Sequence, residues 1–126
     1  MEKIIKVGEN EVKMRASALV PRLYRFKFGR DMIADMNNLI KAFNKVSNLP
    51  DTATEDEIEE AQLSALDLTI FENVAYIMAK HADNNQPDNP NSWLDQYEMF
   101  SIYEILPQII DLWNVSTMTT SQPKKK

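Results

Sequence analysis

The chain has no cysteine, one histidine and two glycines in 126 residues. Without cysteine there can be no disulfide, thiol nucleophile, iron–sulfur cluster or thiolate zinc site. The one histidine, His81, leaves most imidazole catalysis and metal binding short of ligands. Walker, Gly-rich phosphate and Gly-x-Ser-x-Gly sequences are also missing. No apolar run approaches the ~18 residues that cross a bilayer. Met1-Glu2-Lys3-Ile4-Ile5 lacks the apolar core and cleavage site of a secretory signal. The expectation is a cytoplasmic protein that is not an enzyme, with no catalytic residues, cofactor, metal or membrane partner.

What is present describes a packed helical domain. Apolar residues make up 44% and charged residues 26%, ordinary values for one globular domain. The net charge of −5 is unevenly spread. Residues 1–30 carry eight basic and three acidic side chains, whereas residues 49–83 carry nine acids against Lys80. Such an asymmetry favours docking of unlike ends, within a chain or as weak self-association between copies. The overall negative charge disfavours non-specific nucleic-acid binding.

Ile4 to Val7 and Glu11 to Arg15, joined through Gly8-Glu9-Asn10, alternate as an N-terminal β-hairpin. Ser17 is placed to cap a short helix with Pro21 near its first turn and Gly29 after its end. Asp31 opens a second helix whose Met32, Met36, Leu39, Phe43 and Val46 repeat at helical spacing. Thr54-Glu55-Asp56-Glu57 is a capping box, and Leu63, Leu66, Ile70, Val74 and Ile77 continue it as one central helix. Residues 83–91 are a polar loop interrupted by Pro87 and Pro90. Asn91 or Ser92 can cap a short helix through Trp93, and Ser101 a last one, kinked or delayed by Pro107. The fold class is mainly α: a small bundle of four to five helices with an N-terminal hairpin. Residues 1–115 form the single domain and 116–126 a disordered tail.

Candidate sites are few. The oxygen-rich segment 83–94 fails the EF-hand pattern, with Pro87 at the fifth position, Asp88 at the sixth and Leu94 at the twelfth. His81, in a last helical turn, suits the terminal carbonyls and the helix dipole; Met78 stands where a Glu-x-x-His pair needs its carboxylate. The acids at 55–60 read as an exposed first turn. Arg22, Arg25, Lys27 and Arg30 interleave with Tyr24, Phe26 and Phe28, as on a nucleic-acid surface or an amphipathic helix with its rings inward. Trp93, Tyr97 and Trp113 belong to a dense late aromatic group, suited to core or to partner anchoring. Tyr24, Arg25, Phe26, Phe28, Arg30, Trp93, Tyr97 and Trp113 are thus the candidate partner-binding residues.

Two stretches carry a resemblance. Tyr24-Arg25-Phe26-Lys27-Phe28-Gly29-Arg30-Asp31 follows a hairpin and leads into a helix, and Trp93-Leu94-Asp95-Gln96-Tyr97-Glu98 precedes Ile105-Leu106-Pro107-Gln108-Ile109-Ile110-Asp111-Leu112-Trp113. Over residues 3–115 the chain resembles the tail assembly chaperones of siphophages and prophages of Gram-positive bacteria. The resemblance implies an adaptor that keeps the tape measure protein soluble and helps recruit major tail protein. It also implies action in the host cytoplasm, absence from the mature virion, and a longer form made by −1 ribosomal frameshifting. Lys124-Lys125-Lys126 can be encoded by the adenine run that such slippage uses. Two other readings stand beside it: a small nucleic-acid-binding regulator using residues 22–30, and an acidic inhibitor presenting Glu55, Glu59 and Glu60.

Overall fold

The computed structural model describes residues 1–121, with side chains through Asn114. Strands β1 (Glu2–Val7) and β2 (Asn10–Arg15) pair antiparallel, with Val7 opposite Asn10, Ile5 opposite Val12 and Lys3 opposite Met14. Gly8 and Glu9 close the turn. Gly8 has φ +63°, and no non-glycine residue among those described is positive. Positive φ at the first loop position matches the II′ turn, whose twist suits a two-residue hairpin. Ile5, Val7, Val12 and Met14 are buried. Helices α4 (Ala65–Ala82) and α6 (Ile102–Ser121) pack against β2 and β1, covering an apolar face that a lone hairpin would leave in water.

Helix α1 (Val20–Phe28) begins at Leu19 without a side-chain cap, with Pro21 in the first turn where no donor is missed. Ser17, the expected cap, lies two residues earlier, its Oγ accepting from the Leu19 N–H at 3.2 Å. Gly29, at φ 68°, ends the helix and donates its N–H to the Arg25 carbonyl at 2.7 Å. Helix α2 (Met32–Ser47) opens on Asp31, whose carboxylate accepts the N–H groups of Ile33 and Ala34.

The expected single central helix from Thr54 is two helices. Thr54 and Glu57 form their capping box and start α3 (Glu55–Ala61). A second box, Ser64 with Asp67, starts α4: each side chain accepts the other's N–H at 3.0 Å. These local bonds replace the ladder a continuous helix would need, and the backbone extends at Gln62 (ψ 141°) and Ser64 (ψ 166°). With this break the described helices number six. Helix α4 is the centre of the fold, buried without interruption from Val74 to Ala79.

Helix α5 (Pro90–Leu94) is capped by Asn89 rather than by Asn91 or Ser92, because Pro90 occupies the first helical position. Helix α6 runs on through Pro107. The bond Pro107 cannot make belongs to the carbonyl of Tyr103, a residue 59% exposed, where water can serve. The segment 116–126 enters α6 as far as Ser121; its side chains, and residues 122–126 with the lysine run, lie outside the described residues. One core joins the inner hairpin face to α1, α2, α4 and α6. Trp93 closes its end with no exposure, edge-on to Tyr76, Tyr97 and Phe100 at 5.3–5.8 Å between centroids. No helix among the described residues is long and apolar enough to cross a membrane.

Candidate functional site

The candidate residues on and after α1 divide between core and surface. Tyr24 is fully buried and donates its hydroxyl to Asp35 Oδ2 at 2.9 Å. Arg30 grips the same carboxylate with two bonds, Nε to Oδ2 at 2.7 Å and a terminal nitrogen to Oδ1 at 2.9 Å. Those guanidinium bonds hold the Asp35 carboxyl below its usual range, against the opposing effect of burial. Burial, followed by the neighbouring carboxylate, pushes the Tyr24 hydroxyl well up. Tyr24 and Arg30 therefore fasten α1 to α2. Phe28 is half-buried, its ring 5.1 Å from that of Tyr24.

Trp93 too is core, so the expectation that it or Tyr24 anchors a partner at the surface is corrected. Each ring has its full face inside, where it removes ~150–250 Å² from water. Tyr97 and Trp113 are half-buried and packed on the core. Arg25, Phe26 and Arg30 are the candidates at the surface, Arg30 with its guanidinium turned to Asp35 and Phe26 90% exposed.

Phe26 does not stand alone. Leu19, Leu23 and Phe26 recur at i, i+4 and i+7 along one side of α1 and face α4. With Tyr76 and Ile77 they line an open cleft of about 820 Å³. Its margin carries three cations, Arg15, Lys27 and Lys80, against one acid, Asp88, which pairs with Lys80. The Lys27 ammonium lies 5.8 Å from the centre of the Tyr76 ring and donates to the Asp88 carbonyl. Apolar residues at helical spacing beside cations suit the apolar face of a helix with acidic flanks.

The loop after α4 forms one wall of the cleft, and the chain's own cation holds it. Lys80 Nζ donates to the carbonyls of Asn84 (3.0 Å) and Gln86 (2.7 Å) and to Asp88 Oδ1 (3.1 Å). Tyr76 adds a bond to the Pro87 carbonyl at 2.7 Å. The oxygen-rich segment thus surrounds an ammonium. No group of three or more His, Cys, Asp or Glu among the described residues could hold a metal ion.

His81 makes a contact the sequence did not suggest. Rather than terminal carbonyls, its Nε2 meets Ser17 Oγ at 3.0 Å and ties the entry of α1 to the end of α4. Burial lowers its pKa below the ordinary 6.5, helped by Arg15 and the N-terminal ammonium against a small opposing effect of Glu2. The imidazole is therefore neutral at neutral pH. Among the described residues no carboxylate bonds its other ring nitrogen, so the pair lacks the third member of a nucleophilic triad. The carboxylates of α3 are exposed, as a solvated first turn should be.

Sequence reasoning missed Asp35, Leu19 and Leu23 as site-forming residues. A signal for Asp35 existed: Met32, Asp35, Met36, Leu39 and Phe43 share one helical face, and a lone acid in an apolar stripe must find a partner if buried. No family model, curated protein or solved structure matches the chain.

Proposed function

We propose that the chain is a tail assembly chaperone: a non-enzymatic adaptor that takes an apolar helix of the tape measure protein into the cleft between α1 and α4. It keeps that protein soluble in the host cytoplasm, helps recruit major tail protein, and leaves before the virion is mature. The observation that supports this reading is Phe26, 90% exposed at the lip of an apolar cleft with basic margins. An exposed ring beside Leu19 and Leu23 is costly to keep in water and suits a reversible helix-in-groove contact. The nucleic-acid reading of residues 22–30 is left with one exposed ring, Phe26, since Tyr24 is buried, Phe28 is half-buried and Arg30 is bound to Asp35.

Co-expression with the tape measure protein of the same phage tests the proposal through that protein's soluble fraction. The wild-type chain should raise the fraction, and Phe26→Asp should abolish the gain. Losing a buried Phe contact of about 2 kcal/mol weakens binding roughly 30-fold. Because Phe26 is exposed, the variant should keep the wild-type far-UV spectrum. A soluble fraction unmoved by the wild-type chain refutes the proposal. Expression from native downstream DNA, with intact masses measured, should also reveal a minor product extended in the −1 frame.

A further inference from the structure

The edge of β2 away from β1 is open. Met1 and Ala16 exchange both backbone hydrogen bonds, N to O at 3.1 Å and 2.9 Å. This sets the phase of the ladder: Asn10, Val12, Met14 and Ala16 direct their backbone groups at β1, while Glu11, Lys13 and Arg15 direct theirs away. No residue among those described bonds these outward N–H groups. The other edge differs, because Gln108 of α6 accepts from the Lys6 N–H and Asp111 pairs with Lys3. An unpaired edge is a template for another strand.

The side chains on that edge specify which strand. Glu9, Glu11, Lys13 and Arg15 are exposed, alternate with the buried Val12 and Met14, and form no ion pair within the chain among the described residues. From the turn, which holds Glu9, into the strand their charges run minus, minus, plus, plus. Turned antiparallel about Val12, a second copy sets Glu11 opposite Lys13, twice by symmetry, and brings Glu9 of each turn toward Arg15 at the end of the other copy's strand. The neighbouring registers that keep outward groups facing each other are poorer: one sets Glu11 opposite Arg15 but places Lys13 against Lys13, and the other places Glu11 against Glu11. Like charges directly opposite one another are destabilising, so the register centred on Val12 is singled out. On the inner face it also aligns Ile5, Val12 and their counterparts in one apolar row, since Ile5 already faces Val12.

We propose that β2 pairs antiparallel with β2 of a second copy, centred on Val12, to give a two-fold symmetric, four-stranded sheet in the order β1–β2–β2–β1. The contact is isologous and closes at two chains. It does not depend on the tail-chaperone reading.

Light scattering after size exclusion, over a range of concentrations of the full chain, tests the proposal. The wild-type mass should rise to that of a dimer, and added salt should weaken the association. Lys13→Glu turns both central Glu–Lys contacts into Glu–Glu contacts and should raise the dissociation constant on the order of 30-fold. The swap Glu11→Lys with Lys13→Glu rebuilds both pairs in reverse and should restore the dimer. In this cysteine-free chain, Val12→Cys places two thiols at the symmetry axis, about 4.5 Å apart between Cα atoms, and oxidation should give a covalent dimer. A monomer up to millimolar concentration overturns the proposal, as does a dimer indifferent to Lys13→Glu or a reversal the swap does not rescue. A monomer whose β2 amides become protected only when a client strand is added also overturns it.

Discussion

Replacing Tyr24 by Phe and Asp35 by Ala, singly and together, isolates the buried network between α1 and α2. Tyr24→Phe removes one 2.9 Å hydrogen bond to a carboxylate that keeps both bonds from Arg30. A hydrogen bond to a charged group contributes about 1.5–3 kcal/mol, which sets the cost near 2 kcal/mol. Asp35→Ala does more, leaving the hydroxyl of a residue with no exposure without its acceptor. Stranding that donor costs about 1–3 kcal/mol, and with the lost packing the total is roughly 3 kcal/mol. Arg30 is not stranded, since 44% of its side chain is exposed and water can take its donors. In the double variant there is no hydroxyl left to strand. Its cost should be about 2 kcal/mol, below that of Asp35→Ala alone and not the 5 kcal/mol sum, a coupling near 3 kcal/mol. Urea unfolding followed by tryptophan fluorescence and far-UV circular dichroism gives all three values. Additivity within about 0.5 kcal/mol would refute the reasoning. The network also has a pH signature: the Asp35 pKa is lowered from 3.8, so its contribution is present above that value and is lost as pH falls through the lower folded one.

Two further predictions concern the end of α4. His81 has a folded pKa below the ordinary 6.5, so the unfolded chain takes the proton first. Stability should be level above about that value and fall as pH drops from there through the lowered folded value; His81→Gln should flatten that interval in thermal melts, and an unchanged slope would remove His81 as the cause. Lys80→Met keeps the aliphatic stem but strips Asn84, Gln86 and Asp88 of their shared donor. Amide exchange should quicken over residues 83–86 and change less at 88–89, where Tyr76 and Lys27 still bond the carbonyls of Pro87 and Asp88. Uniform exchange rates would mean the ammonium does not hold the loop.

The legible parts of this fold are those in which short-range chemistry and tertiary packing agree. The hairpin follows from alternation and Gly8, the start of α2 from Asp31, and the end of α1 from Gly29. The break at Gln62–Ser64 was hidden because Leu63, Leu66 and Ile70 keep helical spacing across it, and periodicity drew attention away from the box at Ser64 and Asp67. Asn89 was overlooked as a cap because the loop offers several equivalent polar residues, and the choice rests on where Pro90 lies. Among the site residues, the aromatic and basic alternation of 22–28 is plain in the sequence. Which rings turn inward is not, since it depends on where α2 presents Asp35 and where α4 lies. Composition alone does not distinguish the buried Tyr24 from the exposed Phe26 two positions on.

The hairpin rests partly on α6, and this has a consequence for how the chain comes off the ribosome. β1 and β2 are made first, yet the helix that covers β1 is the last described element to be made. Contacts such as Lys6 with Gln108 join positions 102 residues apart, so local pairing cannot supply them early. During synthesis the inner face of the hairpin, with Ile5 and Val7, lacks part of its cover until the segment around Ile109 has emerged. The order of translation and the order of docking are thus opposed across the whole domain. A ribosome stalled before α6 should hold a nascent chain whose first strands are still open to proteases, with cover gained as the last helix appears.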